Sequence, residues 1–122
     1  MRRRTFRRLK ASVAAIGLHH YVYVVLLDSQ VLSLRKIRER NPQRHETRPC
    51  VYVGMTGLHP TERFNNHKTG IKAAQVVQRY GIRLLPELYE VFNPMPFEVA
   101  AQMERELAED LRAQGYTVAG GY

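Results

Sequence analysis

Residues 21–27 read Tyr-Val-Tyr-Val-Val-Leu-Leu, and this run constrains the fold more than any other stretch of the chain. β-Branched and aromatic side chains crowd a helix but suit an extended backbone. Apolar residues at every position, rather than at alternate ones, imply a strand covered on both faces. Such a strand needs other layers around it. The chain has 122 residues, 44% of them hydrophobic, which is enough for one core and too little for a second independent one. The reading is therefore a single domain over 19–122, preceded by a basic arm over 1–18.

The remaining punctuation gives a mixed α/β order. A long polar stretch follows the first strand as a basic insertion at about 29–49, part of it helical over 30–40, with loop marked by Pro42 and Pro49. Val51-Tyr52-Val53-Gly54 reads as a second short strand stopped by glycine. Pro60 suits the first turn of a helix that carries Thr61 to Lys68 and breaks at Gly70. A second helical stretch runs from Lys72 to Tyr80, and Ile82 to Phe92 reads as a third strand, irregular at Pro86. The clearest helix spans about Phe97 to Gln114, and residues 116–118 have the character of a last short strand. The expected architecture is α+β: a small three-stranded, mainly antiparallel sheet flanked by helices.

Charge speaks to partners. Nineteen Lys and Arg against eleven Asp and Glu leave a formal net charge of +8, which attracts polyanions. Arg35, Lys36, Arg38, Arg40 and Arg44 crowd the insertion, and Lys68 and Lys72 lie near the middle helices; these are the expected phosphate contacts. No run is long enough to span a bilayer, so no membrane partner is expected. The lone Cys50 excludes an intramolecular disulfide and fits a reducing, cytoplasmic setting, as a buried small hydrophobe. The arginines at the chain start resemble an export signal only superficially, because the apolar stretch behind them is short and runs into the first strand. A basic arm or an overcalled start is the reading preferred. His19 and His20 point to opposite faces of an extended segment and make a poor shared metal site.

Tyr21-Val22-Tyr23 on the first strand and Tyr52-Val53-Gly54 on the second resemble the two halves of the GIY-YIG nuclease signature. Met55-Thr56-Gly57 then stands where that family has a turn. Arg63 and His67 follow on a helix, four apart and hence on one face, and Glu104 lies on a later helix between Ala100 and Leu107. Tyr21 replaces the first signature glycine, and the segment between the halves is longer and more basic than is usual. The resemblance implies a phosphodiester hydrolase with Tyr23, Tyr52, Arg63, His67 and Glu104 as catalytic residues. It further implies one divalent ion, Mg²⁺ or Mn²⁺, held by Glu104 and by substrate oxygens, and a tyrosine that helps to deprotonate the attacking water.

Glu104 stands out without the resemblance. At roughly 100° per residue, Ala100, Leu107, Leu111, Ala108, Phe97 and Ala101 all fall within about 60° of it on the helical wheel. A carboxylate in the middle of an apolar stripe is costly unless a cation, a strong donor or a metal accompanies it. The bland alternatives are a Glu that pairs with a core Arg, tyrosines that merely pack, and an Arg–His pair on a solvated face. The function expected is a metal-dependent endonuclease, with DNA as substrate rather than RNA. Its rivals are a nucleic-acid-binding module without turnover and a basic RNA-binding structural protein.

Overall fold

The structure, a computed structural model, describes residues 18–121; the basic arm expected over 1–18 lies outside them except for its last residue. Strand β1 (Tyr21–Leu27) occupies an inner position of the sheet, as its unbroken apolar run demands, with Val22, Val24 and Val25 fully buried. It pairs antiparallel with β2 (Cys50–Thr56), in a register that sets Tyr23 opposite Gly54 and Val25 opposite Tyr52. Since side chains alternate along a strand and cross-strand partners share a face, Tyr23, Tyr52 and Gly54 belong to the same face of the sheet. Cys50 is buried at the start of β2.

Two expectations about the sheet are corrected. It has four strands rather than three, in the order β3-β1-β2-β4, and it is mixed: β4 (Thr117–Gly120) runs parallel to β2, with Tyr52 opposite Ala119 and Val53 opposite Gly120. Ala119 and Gly120 carry little strand propensity, and their burial on the sheet supplies what local preference does not. The third strand is also shorter than expected. β3 covers only Gly81–Leu84. Pro86 has no N–H to continue a ladder, and the chain turns there into two 3₁₀ segments, Pro86–Leu88 and Glu90–Phe92.

Four helices accompany the sheet among the described residues: α1 (Arg35–Arg40), α2 (Pro60–Thr69), α3 (Gln75–Tyr80) and α4 (Phe97–Ala113). His59 caps α2, its Nδ1 accepting from the Thr61 N–H, and Pro60 takes the first turn, where a missing N–H costs nothing. Helix α3 begins three residues later than the sequence suggests, because Lys72 adopts a left-handed backbone (φ 47) that no helix accommodates. Helix α4 packs across β2, β4 and β1 and buries Ala100, Met103, Leu107, Ala108 and Leu111. Phe97 departs from the expected stripe: it is 54% exposed and sets its ring edge-on to His20.

Two asparagines complete backbone pairing where no strand lies alongside. Asn93 accepts from the Val22 N–H and donates to its carbonyl. The buried Asn41 does the same for Val118, and also donates to the Ile37 carbonyl at the end of α1. No helix among the described residues is long and apolar enough to cross a membrane.

Candidate active site

The cross-strand register brings Tyr23 and Tyr52 together, with ring centroids 6.2 Å apart. Gly54 is what permits it. A Cβ at position 54 would lie 2.6 Å from both Cζ and Oη of Tyr23, so the tyrosine ring lies across the space a side chain would fill. Gly120 plays the same part for Tyr52: its φ of +75 favours glycine, and a Cβ there would fall 2.8 Å from Cε2 of Tyr52.

Helix α2 lays His67 against both rings, 6.0 Å from Tyr23 and 5.8 Å from Tyr52 between centroids. Its Nε2 lies 2.8 Å from the Tyr23 hydroxyl. Its Nδ1 lies 3.0 Å from the backbone N of Ala74, a group that can only donate. That contact fixes the tautomer: Nδ1 accepts, so the proton of the neutral ring sits on Nε2 and is donated to the Tyr23 oxygen. Tyr23 in turn has its own proton to give, and its hydroxyl beside Tyr52 acts to lower the pKa of Tyr52, as Arg63 does for Tyr23. The two hydrogen bonds therefore run in one direction, from the Ala74 N–H to His67 and from His67 to the Tyr23 oxygen, with the Tyr52 ring packed alongside. Successive bonds of one sense polarise each other.

Arg63 sits one helical turn before His67, at the start of α2. One terminal nitrogen donates to the Lys72 carbonyl at 3.0 Å and the other reaches the Ile71 carbonyl at 3.4 Å. The loop after Gly70 thus holds both Arg63 and His67. Had residues 72–74 begun a helix, as the sequence suggests, these carbonyls would face away into its own ladder. The left-handed Lys72 is a local strain of the order of 1–2 kcal/mol, located where the loop grips both side chains.

Burial and this guanidinium set the ionisation of the cluster. Burial holds Tyr23 well above the ordinary phenol range, reinforced by Tyr52 and opposed by Arg63. Burial also raises Tyr52, with the Glu104 carboxylate adding to the rise and Arg63 opposing it. His67 is pushed down to about 4 by burial and then by Arg63, so its ring is neutral at physiological pH. The Arg63 charge favours proton loss from all three groups. Glu104 is lifted to about 7 by burial, against the pull of Arg105 and of the Met55 backbone N–H. A carboxyl at that value is one whose negative charge lacks adequate compensation.

The five residues expected to be catalytic therefore meet in one place. They differ in access. Tyr52, Arg63 and Glu104 are half-buried, whereas Tyr23 is 1% and His67 0% exposed. His67 has both ring nitrogens engaged behind the tyrosines, a position from which it acts on the cluster through Tyr23 rather than by direct contact with a phosphate oxygen. No group of three or more metal-ligating side chains occurs among the described residues; Glu104 is the carboxylate whose charge bears on both tyrosines.

The expected phosphate contacts divide as well. Lys36 and Arg40 are exposed on α1, and Arg35 is exposed beside Glu39, 2.7 Å away. Arg38 donates to the Leu32 carbonyl, and Arg44 to the carbonyls of Arg38 and Asn41, so both also brace the insertion. Lys68 is structural: its ammonium lies on the carbonyls of Gln78 and Gly81, closing the end of α3. Lys72 is exposed and contributes its carbonyl to Arg63. Sequence reasoning missed the loop itself, because Ile71, Lys72 and Ala74 act through backbone atoms, which leave no mark in residue type. No family model, curated protein or solved structure matches the chain.

Proposed function

We propose that the chain is a metal-dependent endonuclease that hydrolyses phosphodiester bonds of nucleic acid, with DNA as its substrate. The observation that carries this reading is the buried Tyr23–His67 hydrogen bond packed against Tyr52, with Arg63 and Glu104 close enough to bear on both tyrosines. Packing alone asks for neither a cation nor a carboxylate at such a place.

Tyr52 is half-buried whereas Tyr23 is 1% exposed, so Tyr52 is the tyrosine with access to a substrate. Arg63 and Tyr23 favour loss of the Tyr52 proton, against burial and Glu104; once that proton has passed to solvent, the phenolate takes a proton from the attacking water and returns to the phenol. Tyr23 and His67 are positioning residues that act through it. Arg63, anchored on two carbonyls, is set to meet the charge that grows on the phosphate as the water adds in line.

Glu104 fits a divalent ion, Mg²⁺ or Mn²⁺, because a half-buried carboxylate lifted to about 7 is a ligand whose charge awaits a cation. One carboxylate suffices where substrate phosphate oxygens and waters complete the shell. When bound, such an ion polarises the phosphate and stabilises the leaving oxygen. The basic insertion supplies binding to flanking backbone without reading sequence.

The test is nicking of supercoiled plasmid in Mg²⁺ with and without EDTA, beside Glu104→Gln. Nicking that EDTA abolishes and the variant lacks is the expected result. Plasmid bound but left intact by the wild-type protein under every divalent ion tried would favour a binding module without turnover.

A further inference from the structure

A groove of about 540 Å³ opens beside Tyr52, within the range of small-ligand sites. Its surfaces grade from cationic at the rim to apolar at depth. Ala119 and Gly120 of β4 are buried at its floor, and the half-buried Ile37 of α1 and Val76 of α3 form its walls. Lys36 and Arg40, both exposed, stand on its rim.

A duplex offers a protein surface its phosphates and sugars and keeps its base faces stacked inside, so it would leave this apolar floor uncovered. An unpaired nucleotide presents what the groove lacks: a flat apolar base for the floor and the Tyr52 ring, and a phosphate for the rim. We infer that the groove receives an unstacked nucleotide adjoining the scissile phosphate, so that the preferred substrate is single-stranded or carries unpaired nucleotides at the cleavage point. This inference rests on the nuclease reading, because Tyr52 links the groove to the reacting phosphate.

The experiment measures equilibrium binding in Ca²⁺ of two fluorescein-labelled probes, a single-stranded thymidine oligonucleotide and a blunt duplex of equal length. Val76→Glu sets a carboxylate in the groove wall and should weaken single-strand binding about tenfold, the worth of one lost base contact. Duplex binding should change by no more than about threefold, as expected for one altered charge. Leu34→Ala, at an exposed position lining the same groove, should act in the same direction and carries the test if Val76→Glu fails to fold. Equal weakening of both probes, or of neither, overturns the groove assignment. Plasmid nicking by the variants at the wild-type rate would then leave the nuclease reading standing. Failure of the wild-type protein to bind either probe overturns both.

Discussion

The cluster around Tyr23 and the insertion over 29–49 are both rich in polar side chains, yet they are built on opposite principles. In the cluster every hydrogen-bonding group of His67 is committed, the tautomer is fixed by a backbone N–H, and glycines at 54 and 120 hold space for two aromatic rings. In the insertion the arginines are exposed: Arg38 and Arg44 hold carbonyls of their own segment, and Arg35 holds a glutamate one turn away. The first arrangement is expensive to disturb and specific in geometry. The second supplies charge and tolerates change. Chemistry that depends on direction belongs to the first region, and attraction at a distance belongs to the second.

The largest effect expected from this contrast is at Glu104. Glu104→Gln should lower the cleavage rate by about a thousandfold or more while binding in Ca²⁺ is retained, since several kcal/mol of transition-state stabilisation go with the ion. Its stability should move the other way. The folded carboxyl titrates near 7 against an ordinary 4.5, so the wild-type protein loses stability as pH rises through that window. After discounting for partial exposure, Gln should be more stable than Glu by about 1–2 kcal/mol at pH 8 and equal to it near pH 4.5. Urea unfolding at the two pH values, with EDTA present, checks it. A Gln variant that is less stable at pH 8 would mean that the carboxylate is satisfied by protein groups alone.

Next come the two tyrosines, which separate a proton acceptor from its support. Tyr52→Phe should cost about a thousandfold in single-turnover rate, within the range for loss of a general base. Tyr23→Phe should cost closer to tenfold, and should also destabilise the fold by about 1–3 kcal/mol, because the buried Nε2–H of His67 loses its acceptor. The reverse ranking would make Tyr23 the base.

Arg63→Ala should lower the saturated single-turnover rate by about a hundredfold, with only a modest loss of affinity. Arg63→Lys should rescue poorly, since an ammonium cannot hold two carbonyls and meet a phosphate in one plane. An affinity collapse at an unchanged rate would make it a docking residue. The smallest catalytic effect is expected in the insertion: Arg38, Arg40 and Arg44 together changed to Ala should leave the saturated rate within about threefold. Their loss should flatten the slope of log affinity against log salt by roughly 0.9 for each phosphate contact removed. An unchanged slope would reduce the insertion to a solvated loop.

Much of this was legible in the residues. The run 21–27 marked an inner strand, Pro60 and Gly70 bounded a helix, and a carboxylate among Ala100, Leu107 and Ala108 marked the cluster from its apolar side. What escaped has a common cause. The parallel strand β4 is made by packing rather than propensity, through Ala119 and Gly120, and β3 ends where Pro86 withholds an N–H. The loop after Gly70 acts through peptide groups, which every sequence possesses. Lys68 illustrates the same limit from the other side: a lysine near a cluster of cations looks like a phosphate ligand, and only tertiary structure reveals that it holds two carbonyls.

The paired amides of Asn41 and Asn93 bear on how copies of this chain meet one another. A carboxamide offers an N–H donor and a carbonyl acceptor side by side, so it can stand in for a neighbouring peptide without contributing a strand. Unsatisfied margins of a sheet are templates on which further chains add, a route to fibres and unwanted dimers. At Val118 and Val22 that template is already occupied, by single side chains that end the ladder instead of extending it. On the nucleic-acid-binding reading proposed above, copies gathered along one polyanion would stand shoulder to shoulder, and these two asparagines would let them do so without fusing sheets.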